Sequence, residues 1–200
     1  MAHALPAPAH SLETNTGLDN RKLLMWLFLG SECLFFGSFI AAYMLYRNRN
    51  TQGPYPDELF DIPFTSVSSF VLLMSSLTMV LALAAIQHGD VRRMRVWLLT
   101  TSILGIIFLS GQAYEFTGFY REGLRLDTNM FGTTFFVLTG FHGAHVTVGV
   151  LILMSMWGAS FKGKLTQANS LNVELAGLYW HFVDIVWIII FTMIYLVQPA

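Results

Sequence analysis

Charged side chains are few in this chain of 200 residues: Asp, Glu, Lys and Arg make 12% of it, 11 basic against 12 acidic, for a net charge of -1. With no basic excess there is nothing to hold a phosphate backbone, so nucleic-acid binding is excluded. Cysteine occurs once, as Cys33 inside an apolar run. That rules out a disulfide framework, a CxxC pair and a thiolate zinc site. No internal repeat or low-complexity tract is visible, and no connection is long enough to fold separately, so the chain reads as one domain. What it has in quantity is apolar surface, 54% hydrophobic and 14% aromatic residues, far from the averages of soluble domains.

A hydrocarbon core about 30 Å thick needs roughly 20 apolar residues in helix. Five runs of that length occur, at residues 23–46, 64–86, 96–116, 130–157 and 175–197. They are continuous, without the two-residue alternation of a barrel strand. The expected fold is therefore an all-α integral membrane protein, a bundle of five transmembrane helices over residues 23–200. Residues 1–22 hold Pro6, Pro8 and Gly17 but no apolar stretch. They read as a flexible cytoplasmic tail, not a cleavable signal, and His3 and His10 within it are given no role. The connection between the first two spans, with Gly53, Pro54, Pro56, Asp57, Glu58 and Asp61, reads as a surface crossing.

Orientation follows from the basic residues beside the spans, because cytoplasmic connections hold the excess. Arg21, Lys22, Arg92, Arg93, Arg95, Lys162 and Lys164 lie on one side; Arg47, Arg49, Arg121 and Arg125 lie on the other. This predicts a cytoplasmic N-terminus and an outer C-terminus. Trp26, Trp97, Trp157 and Trp180 then fall toward the cytoplasmic ends and Tyr43, Tyr46, Tyr114 and Tyr195 toward the outer ends, as interface belts do.

An ionisable group at mid-bilayer costs about 2.5 to 3.5 kcal/mol on insertion scales, so each needs a partner or a function. The spans contain Glu32, Gln112, Glu115, His142, His145, His181 and Asp184. At 1.5 Å per residue, Glu32 and Asp184 fall about 14 Å, and His145 about 18 Å, from the cytoplasmic ends of their spans. His181 falls about a turn and a half nearer the cytoplasm than His145. The expectation is one interior polar layer in which carboxylates pair with imidazoles or hydroxyls. Gly37 and Ala41, and Gly140 and Ala144, have the four-residue spacing that suits close helix packing.

Two chemistries compete with that structural reading. His142, His145 and His181 are candidate axial ligands for a haem between the last two spans, which would make an independent bis-His cytochrome. Against it, His181 is offset in depth and Gly140, Gly143 and Ala144 favour helix contact over a haem slot. A di-iron site would need more carboxylates or a Glu-x-x-His pair, and the ten methionines are scattered rather than clustered for copper. Five spans without inverted repeats do not suggest a transporter; proton relay through Glu32 and Asp184 stays open beside a structural role.

Residues 132–150, GTTFFVLTGFHGAHVTVGV, and 179–187, YWHFVDIVW, resemble the two signature helices of subunit III of the haem-copper terminal oxidases. Residues 30–43, GSECLFFGSFIAAY, resemble the family helix with the buried glutamate, and residues 112–116, QAYEF, its Q-x-x-E segment. The resemblance covers nearly everything after Leu23. It equates the family's buried carboxylate with Glu32, its tandem histidines with His142 and His145, and its W-H-F-x-D segment with Trp180, His181, Phe182 and Asp184. The long form of the family has seven helices, and this chain has no counterpart of the first two, hence no counterpart of one wall of the phospholipid cleft. It matches the short five-helix bacterial form.

The resemblance implies an accessory subunit with no catalytic residue and no haem or copper of its own. It would pack against the catalytic subunit I, alongside subunit II, in a multi-pass complex of the bacterial plasma membrane. Haem and copper belong to those partners; membrane lipids, a bound phospholipid among them, are further expected contacts. The complex would reduce oxygen to water with proton pumping, and this chain would support stability and proton uptake. A quinol oxidase subunit III and a nitric-oxide-reductase accessory subunit are the alternatives within reach, the wording TTFFVLTGFHGAH leaning toward the cytochrome-c type.

Overall fold

The computed structural model of the chain describes residue 17, residues 19–47 and residues 61–197. His3, His10, Arg49 and most of the connection between the first two spans, from Gly53 to Glu58, lie outside the described residues. Five long helices follow one another: α1 (Asn20–Tyr46), α2 (Ile62–Gln87), α3 (Val91–Arg121), α4 (Met130–Phe161) and α5 (Ser170–Phe191). A short 3-10 turn, Gln167–Asn169, leads into α5, and a wider π turn, Thr192–Leu196, extends it. All five are long and apolar enough to cross a membrane.

The helices overrun the apolar runs, and their caps explain why. Asp19, Asp61, Asp90 and Asn129 each accept a backbone N–H of the first turn at 2.7 to 3.1 Å, satisfying donors that a helix start leaves bare. So α1 begins at Asn20, which places Arg21 and Lys22 in its first turn. Arg92, Arg93 and Arg95 likewise belong to α3, not to a connection. The connection itself is only three residues, His88 to Asp90. Gly89, at φ 79°, adopts the left-handed conformation that closes α2: its N–H bonds Ile86 O and the N–H of Asp90 bonds Ala85 O, a Schellman turn.

α2, α3, α4 and α5 form a ring in which each packs on the next and α5 closes on α2. α1 lies outside this ring in the groove between α4 and α5; only 11% of its most apolar window is buried, against 50% for the last span. Two ties fasten it along α5: Lys22 to Glu174 at its start, and Arg47 Nη1 to Val197 O, 2.9 Å, at its end. α1 and α5 therefore run parallel.

The ring is filled by Trp180. Its indole is wedged between Gly105 of α3 and Gly149 of α4, where an added Cβ would come within 2.6 and 2.8 Å of ring carbons. Only hydrogen fits at either position. Trp187, Phe108, His142 and Leu72 continue this core. The small residues singled out by spacing do something else: Gly37 and Gly140 meet nothing within 4 Å, and Ala41 and Ala144 are exposed. The close approaches fall at Gly105, Gly149 and Gly143, the last against Gln112 Oε1.

Candidate functional site

Instead of one polar layer, the chain builds separate polar ties, each joining two helices. Glu32 of α1 meets His145 of α4, Oε2 to Nε2 at 3.2 Å. The other ring nitrogen of His145 lies 2.7 Å from the carbonyl of Phe141. A carbonyl only accepts, so Nδ1 holds the hydrogen of that contact, and Nε2 is the nitrogen turned to Glu32. The pair is close without the alignment of a hydrogen bond, since Oε2 is left without one. Phe36 stands edge-on to the imidazole at 4.9 Å, and Tyr179 donates to His145 O at 3.0 Å.

Asp184 does not join that pair. It faces α2, where Ser76 donates to Oδ2 at 2.6 Å, and its Oδ1 is buried without a hydrogen-bond partner. His142 turns into the ring: Nε2 donates to Val183 O at 3.2 Å and the imidazole stacks on Trp187 at 4.9 Å. His142 and His145 therefore point to different neighbours, and neither converges with His181. Among the described residues His181 makes no hydrogen bond or ion pair, and no three His, Cys, Asp or Glu side chains form a metal-holding group.

Gln112 bonds Thr139 O across α3 and α4 at 3.2 Å. Glu115 takes the hydroxyl of Thr65 on α2, near the opposite end of the bundle from Lys22. The sequence reading missed the hydroxyls that complete these ties. Trp180 Nε1 donates to Ser75 Oγ at 2.9 Å and Trp187 Nε1 to Ser69 Oγ at 2.8 Å. The two tryptophans, seven apart on one face of α5, meet serines six apart on α2.

The Glu32–His145 pair sits in the wall of a cleft of about 690 Å³ between α1, α4 and α5, floored by Phe28, Phe141, Val148 and Tyr179. A second groove, about 450 Å³, shares Met25, Phe28 and Leu175 with it and reaches Arg21 at the start of α1. Together they make an apolar channel with a cation at one end and the pair part-way along. A third hollow, about 540 Å³, lies by Glu115, Asp61 and Arg121 at the other end of α2 and α3.

With five spans, a glutamate on the first facing a histidine on the fourth, and Trp180 and Asp184 of the W-H-F-x-D segment buried, comparison with known proteins decides the family. The family model for cytochrome c oxidase subunit III matches residues 7–198. The chain belongs to that family. A cytochrome c oxidase subunit 3 of Bacillus sp. (strain PS3) is 37% identical over 98% of this chain and 94% of its own length. A quinol oxidase subunit 3 of Bacillus subtilis is also 37% identical, over 92% of this chain and 90% of its own. A Synechocystis cytochrome c oxidase subunit 3 reaches 40% over 89% of this chain and 76% of its own length. The chain spans 90 to 94% of these Bacillus relatives' own length. Equal identity to both oxidase types gives the leaning toward the cytochrome-c type no support. As a subunit III it belongs to a multi-subunit terminal oxidase whose metal centres are carried by other subunits.

Proposed function

We propose that this chain is the non-redox accessory subunit of a haem-copper terminal oxidase, packing against the catalytic subunit, stabilising it, and supporting proton uptake during oxygen reduction. The observation that carries this is the Glu32–His145 pair. Oε2 and Nε2 stand 3.2 Å apart in the wall of an apolar cleft, while two of the three imidazoles a haem would need, His142 and His145, are turned to carbonyls.

In this reading the N-terminus is cytoplasmic and the chain spans the bacterial plasma membrane. Support comes from the grouping of Arg21, Lys22, Arg92, Arg93, Arg95, Lys162 and Lys164 at one end of the bundle, as the positive-inside rule requires. The channel from Arg21 toward Glu32 suits one phospholipid, its phosphate on the guanidinium and an acyl chain along Phe28 and Phe141. The catalytic subunit and subunit II are the partners, and the reading covers cytochrome c and quinol oxidases alike.

The test is a reduced-minus-oxidised visible spectrum of the complex pulled down in mild detergent through a tag on this chain, repeated after stripping to the chain alone. Haem bands in the complex that vanish from the isolated chain are expected. Haem retained by the isolated chain would overturn the reading and return His142, His145 and His181 as ligand candidates.

A further inference from the structure

His181 is near the middle of the helix Gln167–Leu196 and about 9 Å inside the start of its apolar run at Leu175 at the helical rise. It sits on the side of α5 turned away from α1. One residue before it Trp180 fills the ring, and three residues after it Asp184 bonds Ser76 of α2. Its own ring is partly exposed and has no hydrogen bond among the described residues. Around it the outer surface of the α2–α5 seam is apolar: Leu73, Leu77 and Val80 on α2, at helical spacing, and Ile185 and Ile188 on α5, are 40 to 56% exposed. An imidazole at this depth finds nothing in lipid tails to bond with, and polar side chains in spans are turned toward protein for that reason.

We propose that the α2–α5 seam around His181 is a docking surface for a membrane-spanning helix of a partner oxidase subunit, which brings a hydrogen-bonding group to this imidazole within the membrane. The seam carries no exposed charge, so the docking helix is apolar on that face except for the one group opposite His181. Its medium-sized aliphatic side chains give the ridges and grooves into which such a helix packs. The proposal rests on the accessory-subunit reading and adds to it which face is used.

Photo-crosslinking in native membranes tests the face. A benzophenone amino acid in place of Leu77 or Ile188 is expected to give an adduct with another oxidase subunit, identified by mass spectrometry. The same probe in place of Leu34 on the outer face of α1, or Ile107 on α3, serves for comparison. Capture of an oxidase subunit only from positions 34 or 107, with lipid or a second copy of this chain captured at 77 and 188, overturns the seam and leaves the accessory reading standing. Failure of the tagged chain to bring down any haem defeats the accessory reading itself. Independently, His181→Leu is expected to lower the haem recovered with the tagged chain by about fivefold or more, the loss of one interhelix hydrogen bond in lipid. His181→Gln, which keeps a bonding group, restores most of it. Equal recovery with both variants also overturns the proposal.

Discussion

Which glycine matters in this bundle is decided by the ring it faces. Gly105 and Gly149 hold the two faces of Trp180, whereas Gly37 opens onto nothing within 4 Å. Gly105→Ala and Gly149→Ala are each expected to cost about 1–3 kcal/mol by overpacking, and Gly37→Ala less than about 0.5 kcal/mol; thermal unfolding of the purified chain in detergent would read the difference. Spacing could not separate these cases, since Gly37 with Ala41 and Gly140 with Ala144 have a better small-residue pattern than Gly105 does. The ionisable residues were legible for the opposite reason: a charge in a span is rare, so Glu32, His145 and Asp184 stood out. Serine is not rare there, because its hydroxyl can bond a carbonyl of its own helix, as Ser31 does with Phe28 O. Ser69, Ser75 and Ser76 therefore gave no hint that each reaches across to α5.

Among the elements, all five spans could be read from apolar length, and their ends could not. The apolar run marks what faces lipid, while the helix continues until a cap stops it. Arg92, Arg93 and Arg95 looked like a connection because they are charged, yet Asp90 caps α3 ahead of them and Arg95 reaches back to Ser160 of α4 at 2.6 Å and 2.9 Å. Asp90→Ala is expected to weaken this helix start by about 1 kcal/mol, seen as faster hydrogen exchange at the amides of residues 91–93 with the middle of α3 unchanged. The ring order was not legible at all. Nothing in the runs themselves says that α5 closes on α2 while α1 stays outside; that follows from tryptophan–serine pairs far apart in sequence.

For the whole molecule, depth arithmetic brought Glu32, His145 and Asp184 to nearly one level, and the pairing then depended on helix order. Glu32 reaches His145 because α1 lies in the α4–α5 groove; Asp184 faces α2, on the other side of α5. The two carboxylates accordingly have different tasks. Glu32→Gln removes the carboxylate that faces His145 in the cleft wall and is expected to shorten the turnover lifetime of the assembled oxidase, with initial activity retained within about twofold. Asp184→Asn, at the seam, is expected to reduce the amount of assembled complex instead. Oxygen-consumption traces of the intact complex, followed to inactivation and normalised to haem, separate the two; complete loss of initial turnover in an intact assembly would contradict both.

The position of α1 outside the ring also governs how the protein is made. Synthesised from its N-terminus, α1 enters the bilayer while α4 and α5, the walls of its groove, are still to be translated. It must rest in lipid as a solitary span, its carboxyl waiting for His145 and Lys22 waiting for Glu174. Its full docking therefore follows the insertion of α4 and α5, and the Glu32–His145 contact forms only once α4 is in place.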